Sequence, residues 1–188
     1  IASDGTVNEV DLLVASPWGV FLIEIKSRPG KLSGDNYNWT FTTDDGRRTT
    51  DDNPIILANR KCKRLKDLLR SQSSFRSREV PFIQPLVFCS APNLILQLPP
   101  DARNFVCVRD EPEKNKPGIR AAIFQRQCPG LRPATERLVD GPTLKAFGQA
   151  MAQAGVRRQK RKVGDFILDQ LRFESPTGVF QDLSLIHI

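Results

Sequence analysis

The sequence is poor in histidine and in closely spaced cysteines, and both shortages narrow the chemistry that the chain can perform. Its single histidine, His187, is the penultimate residue. Ser-His-Asp, Cys-His and histidine-zinc sites need histidines inside a folded domain, so the sequence argues against each of them. The four cysteines lie far apart and form no C-x-x-C pair, which argues against a zinc knuckle or a disulfide framework. Any catalysis must therefore depend on carboxylates, lysines or a metal ion.

Long apolar stretches are also absent. No segment approaches the roughly 20 uninterrupted apolar residues of a membrane helix, and no export signal opens the sequence. We therefore expect no membrane span and a cytoplasmic location. Hydrophobic residues make up 39% of the 188 residues and charged residues 26%, which is typical of a globular protein with one domain and some additional chain.

The chain is basic, and much of its positive charge falls on one predicted helix. Its formal net charge is +7, which favours a polyanionic partner, with nucleic acid first and an anionic membrane surface second. Asn53-Pro54 provides an N-cap followed by proline, and apolar residues recur at helical spacing over residues 55–71. One face of this helix predicts phosphate contacts, although an ordinary solvated face would show the same pattern. That face consists of Arg60, Lys61, Lys63, Arg64, Lys66 and Arg70, against the single acid Asp67.

The N-terminal part of the sequence predicts a β-hairpin. Alternating and continuous apolar residues predict strands over residues 7–16 and 20–27, and Pro17-Trp18 supplies the turn between them. A two-residue loop would place Ser16 opposite Gly19 and so determine the register of the two strands. Apolar side chains occupy both faces near the turn, so we expect the hairpin to be buried on both sides.

In this register Asp11 pairs with Glu24, and Glu9 pairs with Lys26. Directly opposed residues of antiparallel strands point to the same face, so these four side chains should converge. Two carboxylates and the carbonyl oxygen of Ile25 would make a hard oxygen site for Mg²⁺ or Mn²⁺. With Lys26 beside a water or phosphate, such a site predicts phosphodiester hydrolysis. The alternative is a Glu9–Lys26 salt bridge with two solvated acids.

The rest of the chain predicts an α/β sheet. A helix placed between strands indicates at least one parallel pair of neighbours. The predicted elements are a short strand at 38–43, buried strands at 82–89 and 105–108, a loop at 111–133, a helix at 143–154, a basic linker at 157–162 and a new element from 163.

The hairpin sequence EVDLLV, a glycine turn and VFLIEIK resembles the nuclease-related domain, NERD, of the restriction-endonuclease-like superfamily. GKLSG at 30–34, Trp39 and the Asn53-Pro54 helix are similar to the rest of that domain, which extends the resemblance to about residues 1–110. The resemblance implies a restriction-endonuclease-like mixed β-sheet core flanked by helices, with the family's first helix missing before Ile1. The glutamine commonly found three residues after Asn-Pro is replaced here by Leu57.

The resemblance also implies roles for the hairpin residues. Asp11 and Glu24 would bind the metal ion, Lys26 would be the catalytic lysine, and Glu9 would be an accessory acid.

A second resemblance concerns the C-terminal residues. KVGDFIL at 162–168 followed by GVF at 178–180 is similar to the opening of a kinase lobe in bacterial proteins that join NERD to a protein kinase, including phage-exclusion (BREX) systems. The glycine-rich loop, the strand lysine and the catalytic loop are missing from this sequence. We therefore expect a NERD core at 1–110, an extension at 111–156, the linker at 157–162 and the start of a kinase domain at 163–188.

Together these features predict a Mg²⁺- or Mn²⁺-dependent nuclease domain that acts on DNA and adjoins a protein kinase in a bacterial defence protein. An inactive nucleic-acid-binding module that regulates the kinase is the main alternative. An interaction scaffold with structural acids is the third.

Overall fold

The computed structural model describes residues 9–111 and 116–158 and, further along the chain, short strand segments at 162–163, 166–167, 174–175, 178–179 and 184–187. Side chains are described for residues 10–111 and 116–156. The strands are β1 (Glu9–Ser16), β2 (Gly19–Lys26), β3 (Lys31–Gly34), β4 (Asn38–Thr42), β5 (Arg48–Asp52), β6 (Ile83–Cys89), β7 (Ile95–Gln97), β8 (Val106–Cys107), β9 (Arg157–Arg158), β10 (Lys162–Val163), β11 (Phe166–Ile167), β12 (Glu174–Ser175), β13 (Gly178–Val179) and β14 (Ser184–His187). The α-helices are α1 (Pro54–Arg70), α2 (Ile119–Gln125) and α3 (Gly141–Gln153), and two short 3-10 helices span Ser73–Phe75 and Asp101–Arg103.

The strands form two mixed sheets. The first has the order β8-β6-β2-β1-β14-β9, in which β1 and β2 are antiparallel while β2, β6 and β8 run parallel. The second has the order β5-β4-β3-β7, with β3 parallel to β7. The two pairs β10-β11 and β12-β13 stand apart from both sheets. The predicted α/β fold, with a mixed sheet core flanked by helices and parallel neighbours, is confirmed.

Both faces of the first sheet are covered because β2 is apolar on both sides, as the sequence predicted. Val20 and Leu22 pack against α1 and α3 in one cluster, whereas Phe21 and Ile23 pack on the opposite face with α2. All four are fully buried. Burying side chains of this size stabilises the fold by about 1.5–3 kcal/mol each, so the hairpin is firmly held at the centre of the molecule.

A third cluster lies between the two sheets. Leu32 and Trp39 of the second sheet pack with Val87 and Cys89 of β6. This packing brings β3, β4 and β5 next to the end of β2 that carries Glu24 and Lys26.

Helix α1 begins as its sequence predicts. The side-chain oxygen of Asn53 accepts a hydrogen bond from the Ile55 N–H group at 3.0 Å, and Pro54 occupies the first turn. Asn53 also donates to the carbonyl oxygen of Asn36 at 3.1 Å. This buried side chain is therefore a helix cap that also connects α1 to the loop before β4.

The prediction of a loop over residues 111–133 was wrong in part, because α2 lies within it. Asp110 caps this helix from outside it: the carboxylate accepts hydrogen bonds from the N–H groups of Gly118, Arg120 and Ala121. Asp110 lies eight residues before Gly118, the first residue whose N–H group donates to it. Because of this separation, no local pattern in the sequence predicts the cap. Strands β5 and β7 were also not predicted; β5 is exposed along its whole length and has no apolar alternation.

Several predictions fall outside the described part of the chain. These concern the side chain of Glu9, the side chains of the basic run 157–162 and those of the segment 163–188. Among the helices that the structure describes, none combines the length and the apolar character needed to cross a membrane.

Candidate active site

The hairpin has the register that the sequence predicted near its turn. Ser16 lies opposite Gly19, and the pairing continues to Leu12 opposite Ile23. Gly19 takes a φ of +142°, in the left-handed region that favours glycine. The turn therefore determines the register of the two strands, and with it which residues of β2 lie at the polar end of the hairpin, away from the turn.

Strand β1 changes its alternation before it reaches that polar end. Val10 and Leu13 pack in the same cluster against α1, although they are three residues apart, while Leu12 packs on the opposite face. The register against β14 also shifts between Val10 and Leu13. Strict alternation would place the side chains of Val10 and Leu12 on the same face of the sheet. This part of β1 therefore contains a β-bulge, which changes the face to which nearby side chains point.

Asp11 lies at this bulge and contacts β2 through its side chain. Its Oδ2 atom accepts a hydrogen bond from the Ile25 N–H group at 2.8 Å. In the described part of the hairpin, the backbone pairing stops at Leu12 and does not reach Asp11 and Glu24. The Asp11 carboxylate nevertheless lies beside the peptide group that joins Glu24 to Ile25.

Glu24 is a buried acid held between two lysines. Its Oε1 atom lies 3.2 Å from the Nζ of Lys26, and its Oε2 atom lies 2.7 Å from the Nζ of Lys61. The Glu24 side chain is only 8% exposed, and that of Lys61 is 11% exposed. A carboxylate this far from water needs cationic partners, and the two ammonium groups supply them.

The two lysines differ in origin and in exposure. Lys26 follows Glu24 by two residues on β2, and its side chain is 34% exposed, so it can contact a molecule from solvent. Lys61 comes from α1, and the sequence placed it among the residues that contact nucleic acid. In the structure its ammonium group contacts Glu24. Sequence reasoning missed this contact because it joins a strand to a helix 37 positions further along the chain.

The donor set at this end of the hairpin suits a hard divalent cation. Asp11 and Glu24 offer carboxylate oxygens on neighbouring strands, and Ile25, the residue after Glu24, offers a backbone carbonyl oxygen. The free lone pairs of Glu24 are limited because each oxygen already accepts one ammonium hydrogen bond. Within residues 10–111 and 116–156, no cluster of three or more histidine, cysteine, aspartate or glutamate side chains is placed to hold an ion. Asp11 and Glu24 are thus of the chemical type that binds such an ion.

A cleft opens beside Lys26. It has a volume of about 430 Å³ and lies between the second sheet and the beginning of α1. Its charged lining includes Lys26, Arg28 and Arg60 as well as Asp51 and Asp52. Arg28 is paired with Asp51 at 2.5 Å. The cleft is large enough for a small part of a polymeric substrate, and its basic groups lie next to the candidate site.

The remaining basic residues of α1 divide by exposure. Lys66 is half-buried, with its Nζ 3.9 Å from a carboxylate oxygen of Glu79. A guanidinium nitrogen of Arg70 lies 3.7 Å from a carboxylate oxygen of Asp67. Four of the six predicted contact residues are exposed to solvent, and these are Arg60, Lys63, Arg64 and Arg70.

Cys89, the cysteine next to the site, is not available as a nucleophile. Cys89 lies opposite Lys26 in the parallel pairing of β2 and β6, and burial raises the pKa of its thiol to about 12. On the other face of the sheet, the Sγ atoms of Cys107 and Cys128 approach to 3.4 Å. The hydrogen bond from the Cys107 thiol lowers the pKa of Cys128, which is half-buried. No local sequence pattern predicts this pair, because the two cysteines are 21 positions apart.

Asp11 lies on β1, and Glu24 and Lys26 lie two residues apart on the next strand, β2. Both strands belong to a mixed sheet that is flanked by helices. Fold and site together define a nuclease-like domain of the restriction-endonuclease type. Comparison with known families agrees: residues 1–90 match the model of the nuclease-related domain, NERD.

The chain is also similar to a long bacterial protein. It is 31% identical over 176 residues to the "Probable kinase PglW" of Streptomyces coelicolor, an alignment that covers 93% of this chain and 10% of that protein. The chain thus spans about a tenth of the length of this relative. No solved structure matches it.

Proposed function

We propose that the domain formed by residues 1–110 hydrolyses DNA phosphodiester bonds with Mg²⁺ or Mn²⁺ and adjoins a protein kinase in a bacterial phage-defence protein. The observation that carries this proposal is the buried Glu24, which pairs with Lys26 and is followed by Ile25, whose N–H group donates a hydrogen bond to the Asp11 carboxylate. The kinase part of the proposal rests on the name of the Streptomyces relative and on the kinase-like residues after 162.

In this mechanism Asp11, Glu24 and the carbonyl oxygen of Ile25 would hold the ion. A bound divalent ion lowers the pKa of water and stabilises negative charge on a phosphoryl oxygen. Lys26 would hold the attacking water or the phosphate through its ammonium group, since its side chain is accessible from the cleft. Glu24 would orient Lys26 through their 3.2 Å contact.

The substrate backbone would run from the cleft across the exposed face of α1. Arg60 belongs to both surfaces, because it lines the cleft and is one of the exposed basic residues of the helix. Lys63, Arg64 and Arg70 would continue the contact by phosphate binding, which orients a nucleic acid without reading its sequence.

A second function is a module that binds nucleic acid without cutting it and regulates the adjoining kinase. One observation favours it: both carboxylate oxygens of Glu24 already have ammonium partners, as a structural acid would. In that case the exposed face of α1 would be the functional surface.

A nicking assay separates these two functions. Supercoiled plasmid is incubated with the 188-residue chain in Mg²⁺, in Mn²⁺ and in EDTA. We expect relaxed plasmid with either ion and none in EDTA. We expect Asp11→Asn and Lys26→Met to reduce the rate by about 100-fold or more, since Asp11 would hold the ion and Lys26 would hold the water or the phosphate.

Matched controls come from exposed residues elsewhere on the chain. Asp44→Asn and Lys145→Met make the same chemical changes away from the site and should leave nicking unaffected. Gel-shift binding of the same DNA without nicking would support the non-cutting module. Nicking that persists in both site variants would contradict the assignment of these residues.

A further inference from the structure

Among the described lysines that contact an acid, Lys61 has the most deeply buried side chain. Its side chain is 11% exposed although it belongs to a helix face whose neighbours Arg60 and Lys63 are exposed. Its Nζ atom lies 2.7 Å from Glu24 Oε2, the shorter of the two contacts that this carboxylate makes with lysines. A buried ammonium group requires a counter-ion, and Glu24 provides it.

Both oxygens of the Glu24 carboxylate are already in contact with ammonium groups, so a cation that binds there must compete with them. Glu24 contributes one negative charge, whereas Lys26 and Lys61 contribute two positive charges at contact distance. A divalent ion on Glu24 would bring further positive charge against two ammonium groups in a site of low solvent exposure. Like charges repel strongly at such distances where water is largely excluded. The ion and Lys61 should therefore exclude each other.

We propose that Lys61 takes the place of a divalent cation on Glu24 in the metal-free protein, and that an ion must displace it to bind. This inference rests on the proposed function in one respect, that Glu24 is a metal ligand. Lys61 is then a positioning residue: it keeps Glu24 aligned while no metal is present, and it sets the affinity for the ion. Lys26, which is more exposed and contacts the other oxygen, remains in place.

The test is a calorimetric titration of the chain with Mn²⁺, without DNA. In Lys61→Met the aliphatic part of the side chain is kept while the charge is removed, so we expect the Kd for Mn²⁺ to fall by about tenfold or more. Lys61→Gln keeps a hydrogen-bond donor toward Glu24 without the charge and should have the same effect. Lys145→Met, which removes a charge from an exposed position of α3, should change the Kd by no more than about twofold.

The other outcomes are distinct. An unchanged or weaker Mn²⁺ affinity in both Lys61 variants, with the melting temperature showing that at least one is folded, would overturn the role of Lys61 while leaving the metal site intact. Adding Glu24→Gln tests the site itself: if that variant binds Mn²⁺ as tightly as the wild type, the ion lies elsewhere and the proposed function fails. Absence of Mn²⁺ binding in the wild type and in every variant would overturn both.

Discussion

Removing the charge of Glu24 should destabilise the fold strongly, because it leaves Lys61 nearly buried without a counter-ion. The substitution Glu24→Gln keeps the size of the side chain and one carbonyl oxygen. Breaking one partner out of a buried ion pair costs about 3–5 kcal/mol. The contact to Lys26 adds little, since that lysine is 34% exposed and exposed pairs contribute about 0–1 kcal/mol. We therefore expect a loss of about 3–5 kcal/mol in the free energy of unfolding.

Urea denaturation followed by circular dichroism measures this loss, and a double-mutant cycle isolates the pair. Lys61→Met alone should also destabilise, since it leaves Glu24 with one partner. The double variant Glu24→Gln/Lys61→Met removes both charges, and replacing a buried pair by neutral groups is often nearly neutral. It should therefore recover more than half of the loss seen in Glu24→Gln. A loss below about 1 kcal/mol, or simple additivity of the two substitutions, would refute the buried pairing, because that is how surface pairs behave.

Two further predictions concern the cap of α1 and the cysteines. Asn53→Ala removes both the cap to Ile55 and the hydrogen bond to the Asn36 carbonyl. The free energy of unfolding should therefore fall by about 1–3 kcal/mol. As a control, Asn59→Ala at an exposed position should change it by less than about 0.5 kcal/mol in the same urea titration. Cys128 should react first with iodoacetamide in the folded protein, because its pKa is lowered and it is partly exposed. Its thiolate forms at a lower pH than that of an ordinary cysteine, so its labelling should begin at lower pH. Cys62, whose pKa burial raises to about 12, should label only after unfolding; peptide mapping by mass spectrometry that finds the reverse order would contradict this.

The parts of the fold that the sequence predicted are those with local signals. The hairpin turn, the Asn53 cap and the helix that follows were predicted within one or two residues of their observed bounds. Each depends on residues within a few positions of one another: a turn of two residues, a cap to the second residue after it, and apolar residues at helical spacing.

The candidate site was predicted less completely. Glu24 and Lys26 are on one strand, so their common face follows from alternation alone. Asp11 was expected to face Glu24 as a ladder pair, but the bulge in β1 places its carboxylate on the Ile25 N–H group instead. A single extra residue in a strand reverses the alternation, and the amino-acid pattern of β1 does not indicate where that residue lies.

The sequence by itself determined the hairpin of β1 and β2, the capped helix α1, the burial of β2 on both faces and the presence of an acid-x-lysine pair on that strand. Tertiary structure alone decided that Lys61 meets Glu24, that Asp110 caps α2 and that Cys107 meets Cys128. These contacts join residues that are 37, eight and 21 positions apart, respectively. They depend on how α1 and α2 pack on the two faces of the sheet. That packing is determined by the burial of apolar surface across the whole domain, so no short segment of the sequence predicts it.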